Sequence, residues 1–347
     1  MLNSRTPQHD LRTPIPRRAD LRAAVSPRHH AMLSAHLTVR DRWIARMVAE
    51  HRVLTSTQIT EIAFPSRRAA NLRLHQLFRW RVLDRFQPYI GRGRAPMFYV
   101  LDAAGAHMLA YEDGMDPAAL RFRPERSLGI SHSHRLAHLH GVNSFFTPFI
   151  HHARSNPAAH LDAWWPETRC TRHFGDLVRP DAYGRWREDR RGIEWFLEWD
   201  TGHYQLARLA AKLHDYARLT SATKIVTPVL MCFASPRREA HARSILAAAL
   251  RDLPRPDEVP VATSNAVLID QQHTAAAAVW LPIDGHVPGR LRLSELASAW
   301  PHLAPPTGAA SDDAESGDPV RLRPPPAMPP WDQTAELTWR KQPTDPR

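Results

Sequence analysis

The sequence predicts a mixed protein of the α+β and α/β classes: a helical N-terminal unit closed by a hairpin, then a larger unit built on a mixed sheet. Two observations carry this. Residues 37–112 space their apolar side chains at helical intervals and end in two apolar runs around a GRGR tip. Residues 128–300 alternate runs rich in Trp, Val and Ile with helical stretches. At 347 residues, 43% of them hydrophobic, the chain suffices for about two domains of ~150 residues, each with its own core.

Taken in order, residues 1–36 are rich in Arg, Pro and His without periodicity, and read as a disordered basic arm. Ile44, Ala45, Val48 and Ala49 then mark a helix. Thr55-Ser56-Thr57 caps a short one, QITEIAF, and Pro65-Ser66 opens a longer one, RRAANLRLHQLFRWRVL. In that third helix Ala70, Leu74, Leu77 and Phe78 form the inward stripe. Strand, GRGR tip, strand and helix follow, so 37–112 has the layout of a winged helix, whose third helix enters the major groove of duplex DNA. Charge agrees. The whole chain carries +11, and residues 52–94 hold nine arginines against two acids. Arg67, Arg68, Arg73 and Arg79 outside the stripe, with Arg92 and Arg94 at the tip, are the expected DNA contacts; the rival use of such a unit is protein–protein contact.

Residues 113–127 read as a linker. In the second unit LDAWWPE, LVRPDAYGRW and IEWFLEWD are strands, with REDRRG as a polar turn. Alternation in the third puts Glu198 and Asp200 on one face, where two carboxylates repel unless a cation lies between them; Mg²⁺ or Mn²⁺ is the expected one. The next helix, HYQLARLAAKLHDYARL, buries Leu206, Leu209, Leu213 and Tyr216. At ~100° per residue Lys212 falls at the margin of that stripe, from which its stem can carry the ammonium to the acidic end of the sheet. Only three lysines occur, Lys212, Lys224 and Lys341, in a chain that otherwise uses Arg. Asp181, Glu198, Asp200 and Lys212 are thus the raw material of a metal-dependent phosphodiesterase site. Strands near 225–234 and 264–270, a helix PRREAHARSILAAALRDL between them, and an edge strand at 276–283 complete the sheet.

Cys170 and Cys232 are far apart and form no CxxC, which excludes a disulfide scaffold and fits a reducing cytoplasm. The first residues lack the apolar core of a signal peptide, and no apolar run reaches the ~20 residues of a membrane helix. Residues 301–347, dense in Pro, Ser, Asp and Gly, read as a disordered tail suited to docking replication or mobilisation proteins. Four histidines fall in SHSHRLAHLH. His134 and His138 read as a helix-face pair, and His138-Leu139-His140 matches a relaxase-like metal motif only if it lies on a strand, with Tyr204 or Tyr216 as nucleophile.

Together the N-terminal unit, SHSHRLAHLHGVN, the RPDA strand and the FLEWD…AAKLHDY run resemble the replication-relaxation family over roughly residues 37–250. That resemblance implies a role with plasmids and other mobile elements, and a second half resembling the PD-(D/E)xK nuclease or restriction-endonuclease-like fold. It matches Asp181 and Glu198 to the two acidic metal ligands and Glu167 to an auxiliary acid. The pattern's lysine belongs two residues after Glu198, where this chain has Asp200; Lys212 is the candidate replacement. Two functions stay open: a Mg²⁺-dependent DNA nuclease or nickase, and a non-catalytic replication or transcription regulator with a degenerate nuclease-like domain. A homodimer is compatible with either.

Overall fold

The computed structural model describes residues 6–11, 22, 26–90, 94–202, 205–283, 289–303, 306 and 320–331. Its N-terminal unit runs α1 (Pro27–His36), α2 (Val39–His51), β1 (Leu54–Thr55), α3 (Ser56–Ala63), α4 (Arg67–Arg79), β2 (Leu83–Phe86), β3 (Phe98–Leu101) and α5 (Ala103–Glu112). The helix starts are written locally. Thr38 with Asp41 and Thr55 with Gln58 form capping boxes, and Ser66 caps α4 through the Ala69 amide. The three strands form an antiparallel sheet in the order β1-β3-β2. Ala70, Leu74, Leu77 and Phe78 are buried as their spacing requires.

The second unit runs α6 (Pro124–Leu128), α7 (Leu136–Ala153), β4 (Ala159–Pro166), α8 (Glu167–Phe174), β5 (Ala182–Glu188), β6 (Arg191–Asp200), α9 (Leu206–Thr223), β7 (Val229–Phe233), α10 (Pro236–Arg251), β8 (Val261–Asn265), α11 (Ala266–Gln272) and β9 (Leu281–Pro282). Its sheet has the order β4-β5-β6-β7-β8-β9. Strands β4, β5 and β6 pair antiparallel, β6, β7 and β8 parallel, and β9 closes the edge antiparallel, so the class is mixed α/β as expected. The β5–β6 hairpin turns on Asp189 and Arg190, both at positive φ (50° and 67°), the backbone of a two-residue turn that follows the sheet's twist.

Alternation along β6 divides the packing. Trp195, Leu197 and Trp199 face α7, while Phe196 faces the layer of α9 and α10 with Leu213, Tyr216 and Leu246. Helix α7 serves both units. Phe146 stacks on Trp164 and Trp195, whereas Asn143 Nδ2 donates to Val53 O at 2.7 Å, Gln58 Nε2 to Ser144 Oγ at 3.0 Å and Thr147 Oγ1 to Glu61 Oε2 at 2.8 Å. One apolar cluster therefore runs from Leu33 and Met47 through Phe145 to Trp280.

Four expectations change. The basic arm is not structureless throughout: Ser26 caps α1 with Pro27 at its first position, and Leu11 is buried. The linker is folded in part, with Leu120 and Phe122 against the core and α6 beginning at Pro124. The strand expected at 264–270 lies at 261–265, because the Asn265 side chain accepts from the Leu268 amide and starts α11. Within the tail, residues 320–331 pack on the N-terminal unit: Trp331 meets Trp43 edge-on, and Trp43 Nε1 donates to Pro326 O at 2.9 Å. Packing of the partly buried Trp331 on the buried Trp43 outweighs the segment's Pro-rich composition there. Among the described residues no helix is long and apolar enough to cross a membrane.

Candidate functional site

Three elements deliver the acidic residues to one place. Asp181 precedes β5 and is tied to its neighbour by the Trp199 amide, which donates to Oδ2 at 2.8 Å. Glu198 and Asp200 project from β6 towards α9 and α10. From α9, Lys212 Nζ reaches Glu198 Oε2 at 2.6 Å and Arg179 O at 3.3 Å, the reach expected of a stem running along the margin of the apolar stripe. Tyr216 OH, one turn further on, donates to Glu198 Oε1 at 2.7 Å. Asp181, Glu198 and Lys212 line one cavity of about 560 Å³, with Arg135, Arg179 and Arg208 around them.

Asp200 and Glu167 line the same cavity, each already engaged by an arginine. Asp200 faces Arg238 of α10, whose Nε and Nη2 grip both its oxygens (Nη2 to Oδ1, 3.1 Å), and the Gly202 amide donates to Oδ1. A forked guanidinium thus neutralises that carboxylate, because a planar fork satisfies both oxygens at once. Glu167 opens α8 rather than ending a strand, and pairs with Arg135 at the cavity rim.

His138 is the member that spacing did not reveal. From α7 its Nε2 stands 3.2 Å from Asp181 Oδ1. His134 lies before α7, and His140, two residues on, turns away to put Nδ1 3.3 Å from Gln58 Nε2. His138 and His140 therefore share no metal, and Tyr216 is buried and donates its hydroxyl to Glu198. Tyr204 lies outside the described residues. The pair His138–Asp181 had one legible signal, a histidine in a stretch of the chain unusually rich in them.

Electrostatics separates the two central carboxyls. Burial would raise Asp181, yet His138, Lys212 and the Trp199 amide outweigh it and hold the group at about 2. Burial raises Glu198, Lys212 opposes and Asp181 adds to the rise, leaving it at about 7. His138 is raised in turn: burial works against its charge, and Asp181 more than compensates. Burial and Glu198 push Tyr216 well up, so it remains a hydroxyl donor. The site is thus an ionised aspartate beside a glutamate raised by burial, the latter paired with one ammonium.

On the N-terminal unit, Arg67, Arg68, Arg79 and Arg94 are exposed, and Arg92 lies outside the described residues. Arg73 is not a free contact. Its Nε and Nη2 hold the buried Asp41 at 2.9 and 2.5 Å, and Nη2 also donates to His36 O. Asp41 completes the Thr38 capping box of α2, so Arg73 joins α4 to the start of α2. Arg73→Ala is expected to cost about 2–3 kcal/mol, less than a fully buried pair because the guanidinium is partly exposed. An unchanged urea midpoint would refute that role.

A family model described as replication-relaxation matches residues 46–230, more than half of the chain. No curated protein and no solved structure matches it.

Proposed function

The chain belongs to the replication-relaxation family, and from that premise we propose that it binds DNA of a plasmid or other mobile element and cuts its phosphodiester backbone at Asp181, Glu198 and Lys212. The N-terminal unit acts in this reading as a winged helix that holds duplex DNA through Arg67, Arg68, Arg79 and Arg94, while the second unit acts as a PD-(D/E)xK-like module. The observation that carries the proposal is the 2.6 Å contact between Lys212 Nζ and Glu198 beside Asp181. An ammonium delivered from a helix takes the place of the lysine missing from β6, since its position matters to the reaction and its backbone origin does not.

Whether the residues suit a divalent cation is a question of donor type. Asp181 and Glu198 offer hard carboxylate oxygens on one cavity, and Mg²⁺ is commonly held by one or two carboxylates together with substrate phosphate. When bound there, such an ion would supply Lewis-acid polarisation and a more acidic water. The chain's own groups do the rest. Lys212 offsets negative charge developing on the phosphate, and the neighbouring Arg179 and Arg208 orient it.

A specific observation favours a second reading, a nuclease-like module that binds without cutting. All four carboxylate oxygens of Asp181 and Glu198 already meet a donor, from His138, Trp199, Lys212 and Tyr216. Among the described residues no group of three or more His, Cys, Asp or Glu is disposed to hold a metal. Incubating the full chain with supercoiled plasmid and Mg²⁺ or Mn²⁺ separates the readings. Nicking is expected, abolished by chelator and by Asp181→Ala or Glu198→Ala. Nicking that persists in both variants would sink the site assignment; DNA binding without any nicking establishes the second reading.

A further inference from the structure

Three cavities share walls along one side of the molecule. The one holding Asp181, Glu198 and Lys212 meets a second, of about 460 Å³, at Arg135, Glu167 and Asp181. That second cavity shares Arg52, Arg172 and Arg321 with a third, of about 470 Å³. Positive charge concentrates in the third. Arg121, Arg123 and Arg126 join its wall, all three exposed, and its acid among the described lining residues is Glu50, which Arg169 holds at 2.9 Å. Charge along the trough thus grades from strongly basic at the far end to mixed at the site.

We propose that this trough is a track for single-stranded DNA, entering over Arg121, Arg123 and Arg126 and ending at the Asp181–Glu198–Lys212 site; it rests on the reading of that site as directed at phosphodiesters. The depth of the site selects the single strand. Glu198 is 2% exposed and lies at the cavity floor. A duplex rests on the rim of such a trough, whereas one flexible backbone descends into it. Guanidinium forks spaced along the wall suit successive phosphates and read no sequence. The track is separate from the duplex-binding surface of the N-terminal unit, because Arg67, Arg68, Arg79 and Arg94 line none of the three cavities. It also gives a function to residues that composition assigns to a linker.

The test is fluorescence anisotropy with the full chain, using oligothymidylate of about 20 nucleotides, longer than the ~4–16 typical of one binding module, and a blunt duplex of equal length. The R121A/R123A/R126A variant is expected to bind oligothymidylate at least tenfold more weakly, with a salt dependence shallower by about 2 in log–log slope for three lost phosphate contacts. Its duplex affinity should stay within about threefold of the parent. R67A/R68A/R79A should do the reverse, and R121K/R123K/R126K should retain most single-strand binding, which separates charge from a folding defect. Failure of the parent chain to bind oligothymidylate, equal binding by the alanine variant, or equal loss of both probes would overturn the track. A chain that binds oligothymidylate through these arginines yet never nicks plasmid upholds the track and refutes the catalytic reading.

Discussion

Lys212→Met is expected to slow metal-supported nicking by about 10²–10³-fold, the usual cost of removing one group aimed at charge that develops in the transition state. Methionine keeps the apolar stem at the margin of the α9 stripe and deletes only the ammonium that stands 2.6 Å from Glu198 Oε2. The change acts in two ways. Charge stabilisation at the phosphate is lost, and Glu198, already raised to about 7 mainly by burial, loses the cation that holds it down. Its proton is then bound more tightly, so the carboxylate form recedes at neutral pH and residual activity should recover as pH rises. Lys212→Arg restores charge with a wider, planar head and should recover activity only in part. Single-turnover nicking across pH checks this. A methionine variant as fast as the parent, with the same pH profile, would remove Lys212 from the chemistry.

Gly141→Ala should destabilise the fold by about 1–3 kcal/mol, the range for overpacking a close-packed core, although alanine is the better helix former by up to about 1 kcal/mol. An added Cβ would lie 2.2 Å from Trp199 Nε1 and 2.6 Å from Cε2. Neither side can yield cheaply, because the Cβ rides on the α7 backbone and the indole is buried in β6 against Phe145. The consequence reaches the site. Trp199 also donates its amide to Asp181, and His138 stands on α7 one turn before Gly141, so pushing helix and strand apart lengthens the His138–Asp181 contact. Thermal denaturation should show a lower midpoint, and the His138 ring should titrate closer to an ordinary histidine. A stabilised alanine variant would contradict the close approach.

Both expectations rest on a site only partly legible in the chain. Two-residue alternation along IEWFLEWD put Glu198 and Asp200 on the same face, and helical spacing in α9 put Lys212 at the edge of a buried stripe, close enough to reach Glu198. The capping residues Thr55 and Ser66 likewise marked helix starts that the fold contains. Asp200, Arg73 and residues 320–331, read from the same kind of local pattern as a metal ligand, a DNA contact and part of a disordered tail, each meet a partner far along the chain. Arg238 is 38 residues from Asp200, Asp41 is 32 from Arg73, and Pro326 is 283 from Trp43. His138 comes to Asp181 from a different helix altogether.

The division has a physical cause. Hydrogen-bonded turns, caps and side-chain periodicity are settled among residues a few positions apart, so the chain's own order specifies the elements, their inward faces and the trio Asp181, Glu198 and Lys212 as candidates. Which cation neutralises which carboxylate depends on how α7 and α10 dock on the sheet, a matter of packing between surfaces distant in sequence. Alternation could bring Asp200 to the same face as Glu198; only the docked α10 could hand it to Arg238 and leave Lys212 to Glu198.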